Sequence, residues 1–415
     1  MHPETDSHKN HSALVPPFPL ASAPHRPLFL AGCIAVLTGM TWWTMELGTF
    51  YHAWPSWPQP TIPPLWGHAV LMQYGLFPLF MFGFLMTTFP RWMTGPQVPR
   101  WRYLGVGGCV LGGYVVSHVG LLHLPMLLRA GMVLMLLGYL LGVGTLAGVL
   151  KAATERNRHG WSCLTAFTIG TLGLMLFEGW LFGLLPASAA QLSVQIGTFG
   201  FLLPMYFTVC HRMLPFFSRH CSPNYRMWRP AFSLPLMWML LLVRTVLAWR
   251  EAQAALAWVD IPLALLFLVH ALAWQPWRAR GPGLLVVLHL AFAWLPVAFV
   301  LFSAQDLVYA LQGRYILGLA PLHALTIGFF GSMLVAMVTR VTQGHSGRPL
   351  QMNAVAWTCF GVLQLVALAR IRAELGDSRG LWLLAASVGW LVAFMPWVIR
   401  GAFIYLTPRA DGRPG

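Results

Sequence analysis

Twelve apolar segments follow one another along the sequence, and each is about long enough to cross a bilayer as a helix. A transmembrane helix needs about 20 consecutive apolar residues. The segments lie at approximately 28–49, 66–89, 101–121, 125–150, 161–185, 191–214, 231–249, 256–276, 283–304, 320–341, 352–373 and 381–407. Only 9% of the chain is charged, against about 25% in soluble domains. The sequence therefore predicts an all-α, polytopic integral membrane protein with about twelve transmembrane helices.

The positions of the basic residues predict which way the helices face. Cytoplasmic loops of membrane proteins carry an excess of Lys and Arg. With the N-terminus inside, most of the 26 Lys and Arg residues fall on the inner side. Those left on the outer side are Arg129, Arg244, Arg250, Arg314, Arg370, Arg372 and Arg379. The even helix count then places both termini in the cytoplasm. Topology also explains the net charge of +15, so no nucleic-acid binding is predicted.

The segment boundaries predict a simple domain organisation. Residues 1–26 form a polar cytoplasmic tail, residues 27–408 a single transmembrane bundle, and residues 409–415 a second short cytoplasmic tail. The connections between segments are short, so consecutive helices are expected to pack as antiparallel neighbours. The lipid bilayer is therefore the first partner that the sequence predicts.

The stretch His323–Leu350, which contains the tenth segment, has a histidine near each end. His323 and His345 are 22 positions apart, and at 1.5 Å per residue this is roughly 33 Å, about the thickness of the hydrocarbon layer. The two imidazoles are therefore expected at opposite membrane faces, where they cannot share one metal. Small residues, which let membrane helices approach closely, recur at every fourth position between them, at Gly328, Ser332 and Ala336.

Depth sorts most of the membrane-associated histidines into two layers. Near the outer face lie His52, His68, His118, His123 and His323, and near the inner face lie His211, His220 and His345, with His270 and His289 deeper. Imidazole is a common ligand of haem iron and also suits copper. Because His68 and His323 lie at a similar depth near the start of their segments, they are predicted to clamp one haem.

The inner layer predicts a second centre. There, His289, His345 and His211 are predicted to hold a metal. The arginines at the same end would pair with haem propionates or with a small anion. These arginines are Arg212, Arg340 and Arg348.

A structural role is the other interpretation of these residues. A single histidine in an apolar helix is commonly a hydrogen-bonded packing residue, and this is the prediction for His118, His123 and His270. Topology accounts for the inner arginines, and His345 can simply be the last residue of a helix, since cations favour that end. Glu178, in the fifth segment, is left open between a proton relay and a protonated carboxyl bonded to a neighbouring helix.

Several stretches resemble one known family. HALTIGFFGSMLVAMVTRVTQGHSGRPL resembles the signature of the NnrS family of bacterial membrane proteins, a helix that opens with H-A-L-T-x-G and closes with T-R-x-x-x-G-H-T/S-G-R. Stretches similar to other parts of that family occur in the same order. They are RPLFLAG (Arg26–Gly32), GFLMTTFPRW (Gly83–Trp92), HRMLPFFSR (His211–Arg219) and LHLAFAWLPVAF (Leu288–Phe299).

The resemblance implies a function and a set of cofactors. It implies about twelve spans in the bacterial inner membrane, haem and copper as cofactors, and a role in the response to nitric oxide that is linked to denitrification and nitrosative stress. It leaves open whether the protein is an enzyme. The residues on matching family positions are His289, His323, His345 and Arg348.

The second segment departs from the family pattern. His68 matches the first histidine of the family's H-x-H-E, but Val70 and Leu71 stand in place of its second histidine and glutamate. If those two groups bind metal or move protons in relatives, that capacity is lost or rerouted in this chain.

Two other classes of protein share the twelve-span layout. A secondary transporter would use Glu178 as its coupling group, and Pro78 and Pro204 would break helices at mid-depth. A haem–copper oxidase or nitric-oxide reductase would need an adjacent His-His pair for its binuclear metal centre. The sequence contains no His-His dipeptide, which argues against that class.

Overall fold

The computed structural model describes residues 19–55, 58, 60–155, 157–222, 224–279 and 283–412. Residues 1–18 and 413–415, which belong to the predicted tails, lie outside the described residues. In chain order the helices are α1 (His25–Phe50), α2 (Pro64–Trp92), α3 (Arg100–Leu121), α4 (Pro125–Ala152), α5 (Arg158–Leu181), α6 (Ala187–Cys221), α7 (Ser233–Trp249), α8 (Gln253–Arg278), α9 (Gly283–Gln312), α10 (Ala320–His345), α11 (Ala354–Arg372) and α12 (Arg379–Leu406).

This architecture confirms the predicted fold class. Eleven of the helices in the described ranges are long and apolar enough to cross a membrane, and α7 is shorter at 17 residues. The described part of the chain contains no strand. α1 begins and α12 ends at the same side of the bundle, because Arg26 near the start of α1 donates hydrogen bonds to the carbonyls of Tyr405 and Thr407. We call that side the inner end, and we call the side where α2 and α10 begin the outer end.

The helices α2, α6 and α10, each the fourth after the one before, form the centre of the bundle. In their most apolar 18-residue stretch, 89% of the residues of α2, 78% of α10 and 67% of α6 are buried, whereas no other candidate span in the described residues exceeds 61%. Each of the three contains a wide π-helical turn, at Leu71–Leu76, Ile196–Leu202 and Ala324–Gly331. Such turns are rare and occur frequently at functional sites. The bundle therefore has a common irregular element in its three innermost helices.

Side chains of neighbouring helices satisfy the carbonyl groups near these wide turns. The Tyr74 hydroxyl donates to the carbonyl of Ser193 at 2.7 Å, and the Tyr139 hydroxyl donates to the carbonyl of Tyr74 at 2.9 Å. The Gln73 amide donates to the carbonyl of Val194. Because a buried carbonyl needs a donor, these bonds fix α2, α4 and α6 against one another.

The two prolines near mid-depth do not break their helices. Pro78 and Pro204 each lie at the second position of the α-helical stretch that follows a wide turn. Proline has no backbone N–H and crowds the preceding turn of a helix. The longer hydrogen-bonded ring of a π-helical turn accommodates it, so α2 and α6 continue to Trp92 and Cys221. The predicted breaks are therefore wide turns in continuous helices.

The row of small residues in α10 packs closely against neighbouring helices, as predicted. Gly328 lies against the indole of Trp294 in α9, and a Cβ at this position would come 2.6 Å from the ring. The Trp294 indole N–H donates to Gln364 of α11 at 2.6 Å, and the Gln364 amide donates to the hydroxyl of Ser332 at 2.8 Å. Ala336 is fully buried. The row therefore joins α10 to both α9 and α11.

Replacing Gly328 by Ala should destabilise the protein, because the hydrogen-bonded indole of Trp294 cannot give way. Overpacking of this kind costs about 1–3 kcal/mol. Gly108 of α3 is the matched control, since a Cβ there meets no atom within 4 Å. Gly108→Ala should instead stabilise its helix by roughly 0.5–1 kcal/mol. Unfolding of the protein by SDS in detergent micelles, followed by tryptophan fluorescence, would measure the change in stability of both variants. If both changes had the same sign, they would contradict this packing.

Candidate functional site

A cavity of about 320 Å³ opens at the outer end of the bundle, between α1, α2, α6, α10, α11 and α12. We call it the outer cavity. Its walls are mostly apolar and aromatic, and include Met40, Trp43, Trp66, Phe77, Leu322 and Trp390. Its volume lies in the range of small-molecule and cofactor sites, roughly 300–1,000 Å³. Such a cavity suits a large apolar ligand with a few polar attachment points.

His68 and His323 both line this cavity, although they are 255 positions apart in the chain. His323 Nδ1 lies 2.9 Å from the carbonyl of Leu319. A carbonyl only accepts, so Nδ1 carries the proton and Nε2 of the neutral ring has a free lone pair. His68 is oriented in a different way, because its ring stacks on Trp43 at 4.2 Å with an interplanar angle of 15°. The structure thus brings together the two outer histidines that the sequence singled out.

The polar lining contains groups that the sequence did not indicate. Gln73 and Gln195 reach the cavity from α2 and α6, and the side-chain oxygen of each is buried without a hydrogen-bond partner among the described residues. Arg370 of α11 also lines the cavity, and its guanidinium is paired with Glu374 at 2.5 Å. From the sequence, Arg370 was predicted only to be one of the few basic residues on the outer side. An arginine at the end of an apolar span was the one signal that pointed to it.

Arg348 lies away from the two outer histidines. It follows the C-terminal end of α10, whereas His323 lies near the start of that helix. Its Nη1 atom is buried without a partner in the described part of the chain. Burial, and the nearby charge of Arg400, lower the pKa of the Arg348 guanidinium from its ordinary value. Arg348 therefore belongs to the inner end, and Arg370 is the arginine of the outer cavity.

The three histidines predicted to hold an inner metal have different partners. His211 Nδ1 lies 3.0 Å from His159 Nε2, and its ring also lies 5.7 Å from that of His270. His289 Nε2 lies 3.2 Å from a serine hydroxyl. Among the described residues, no three His, Cys, Asp or Glu side chains are grouped closely enough to hold a metal ion. The structure does not bring this predicted trio together.

The remaining inner residues have packing contacts. His345 is the last residue of α10, as the alternative interpretation predicted, and its ring lies 4.8 Å from that of His25. The Arg212 and Arg340 guanidinium groups lie over aromatic rings, at 4.5 and 3.8 Å from the ring centres. A guanidinium over an aromatic face is a favourable contact. These groups therefore have structural partners.

His118 and His270 have the hydrogen-bonded contacts that are expected of packing residues. His118 Nδ1 lies 2.9 Å from the carbonyl of Tyr114 in its own helix, and His270 lies within hydrogen-bond distance of the carbonyl of Leu266.

Glu178 is buried three residues before the end of α5. One of its oxygens has no hydrogen-bond partner within the described ranges. Its place near the outer end differs from the mid-depth position typical of a transporter's coupling group.

The fold and this cavity define a class, an all-α polytopic membrane protein with two imidazoles facing one apolar cavity. The family model described as NnrS protein matches residues 19–409. Because the match covers nearly the whole chain, the protein belongs to the NnrS family, which confirms the resemblance carried by the motif around His323. A comparison with the curated proteins finds no match.

Proposed function

We propose that the protein is a haem-binding protein of the bacterial inner membrane that takes part in the response to nitric oxide, with the haem between His68 and His323. The observation that carries this proposal is the convergence of these two imidazoles on one cavity. Two helices that are remote in sequence each place a histidine near their outer end, and both rings face the same space. A single packing histidine would not need such a counterpart.

The chemistry of the outer cavity fits a haem. Apolar and aromatic walls suit the macrocycle. Arg370 is the cation that would face a carboxylate there, since a guanidinium matches that group in geometry. A haem bound in this cavity would supply an iron that binds diatomic gases such as nitric oxide.

The two histidines are held differently, and we expect them to differ as ligands. Metal-binding histidines commonly donate their second N–H to a backbone carbonyl, which fixes the ring and raises its basicity. His323 has this bond to Leu319. His68 is held by the stack on Trp43. His323 is therefore expected to be the stronger ligand, and His68 the more easily displaced one.

Copper, which the family resemblance implies, receives no site in this proposal. A copper site of this kind would need several imidazole or sulfur donors directed at one point. His211, His289 and His345 point to different partners. The outer cavity is therefore the only cofactor site that we propose.

The visible spectrum of the protein purified in detergent tests the function. We expect a Soret band that shifts on reduction with dithionite and shifts again when nitric oxide is added. A colourless preparation, from cells supplied with a haem precursor, would contradict the proposal. If such a preparation bound a solute, it would favour the alternative of a twelve-span secondary transporter.

A further inference from the structure

A second group of buried charges lies in the outer half of α7, α8 and α9. Arg244, Asp260 and Asp306 come from these three helices, and their exposures are 4%, 0% and 4%. The Arg244 Nε atom donates to Asp260 Oδ1 at 2.7 Å. Ionisable groups inside a membrane protein are expensive and usually mark a functional site. This group is separate from the outer cavity, whose lining contains none of the three residues.

The charges of this group do not balance. Two carboxylates face one guanidinium, so full ionisation would leave one uncompensated negative charge in a buried site. The Oδ2 atoms of Asp260 and Asp306 are both buried without a hydrogen-bond donor in the described residues. The two carboxyl groups are nevertheless within hydrogen-bonding reach of each other. Two ionised carboxylates only accept, so a bond between them requires a proton.

We propose that Asp260 and Asp306 form a proton-binding site that holds one shared proton at neutral pH and exchanges it with water on the outer side. One proton makes the group of Arg244 and the two carboxyls electrically neutral. It also supplies the donor that both Oδ2 atoms lack. Carboxyl pairs that share a site behave in this way because like charges at short distance cannot both persist. The inference does not depend on haem binding.

The surroundings hold the Arg244 guanidinium in place and set the carboxyl pair near the outer surface. The Arg244 guanidinium lies over the rings of both Phe199 and Phe302, at 3.8 and 4.7 Å from their centres. Both contacts favour the guanidinium in this position beside Asp260. Asp306 lies six residues before the outer end of α9, and Tyr315, in the loop that follows this helix, is 54% exposed. The carboxyl pair therefore lies closest to the water on the outer side.

Infrared difference spectroscopy of the full-length protein tests the shared proton. At neutral pH the C=O stretching band of one protonated carboxylic acid should be present in the wild type and absent in Asp306→Asn. Asp260→Asn should lose the same single band, because Asp306 then becomes the sole counter-ion of Arg244 and ionises. Glu178→Gln is the matched control at another buried carboxyl, and it should leave this band in place.

The remaining variants distinguish the proposal from its alternatives. Arg244→Gln removes the cation, so both acids should be protonated and the band should double. In D₂O the wild-type band should shift to lower frequency, because the proton exchanges with water. A band that survives in Asp260→Asn would mean an isolated acid and would overturn the sharing. A spectrum that changes with sodium ions and not with Asp306→Asn, or a band that never shifts in D₂O, would also overturn the proposal.

Discussion

Replacing His323 by Ala should leave the purified protein without haem. His323 is the imidazole whose ring is fixed by a hydrogen bond to Leu319, with Nε2 free toward the outer cavity. Removing only the partner of a metal-binding histidine typically costs roughly 10–100-fold in affinity, so loss of the ligand itself should cost more. The haem-to-protein ratio, measured as the pyridine haemochrome, should fall to background.

His118→Ala is the matched control for this variant. His118 also lies near the outer end, and its Nδ1 has the same contact with a carbonyl four residues earlier in its own helix. It does not line the outer cavity. The haem content of His118→Ala should therefore equal that of the wild type. Equal haem contents in the His323 and His118 variants would remove His323 from the site.

Replacing Glu374 by Gln should cause a large loss of stability. The carboxylate of Glu374 and the guanidinium of Arg370 form a 2.5 Å pair whose side chains are only 5% and 9% exposed. Arg379 approaches the same carboxylate at 3.2 Å. Removing one partner of a buried pair leaves an uncompensated charge and costs about 3–5 kcal/mol. This loss of stability should appear as unfolding at a lower concentration of SDS.

A more exposed arginine–carboxylate pair provides the control. Arg409 and Asp411 lie 2.6 Å apart, but their side chains are 17% and 31% exposed. Pairs that water screens contribute about 0.2–1 kcal/mol. Asp411→Asn should therefore have a small effect in the same assay. A loss in Glu374→Gln as small as that in Asp411→Asn would show that burial does not strengthen the Arg370 pair.

The sequence predicts depth in this protein well, because apolar length and the ends of segments define how far each residue lies along its helix. His68 and His323 were placed at one depth on that basis, and both line the outer cavity. Rotation about the helix axis is harder to predict, since it depends on which helices become neighbours. For this reason Arg370 was not expected at the cavity, and the inner histidines were expected to converge.

The wide turns show a second limit of sequence reasoning. They begin at residues 71, 196 and 324, so they are 125 and 128 positions apart. The stretches YGLFP, FGFLLP and IGFFGS carry a weak common pattern of glycine and aromatic or apolar residues. A search for short repeats or for a duplicated half does not detect a pattern with this spacing. The position of the turns also depends on the donors that neighbouring helices supply, such as Tyr74 and Tyr139.

Electron paramagnetic resonance of the oxidised protein tests most directly whether His68 and His323 bind one iron. A low-spin signal, typical of two imidazole ligands, is expected in the wild type. His68→Ala should convert it to a high-spin signal, and added imidazole should restore the low-spin form. A low-spin signal that persists unchanged in His68→Ala would show that His68 does not bind the iron.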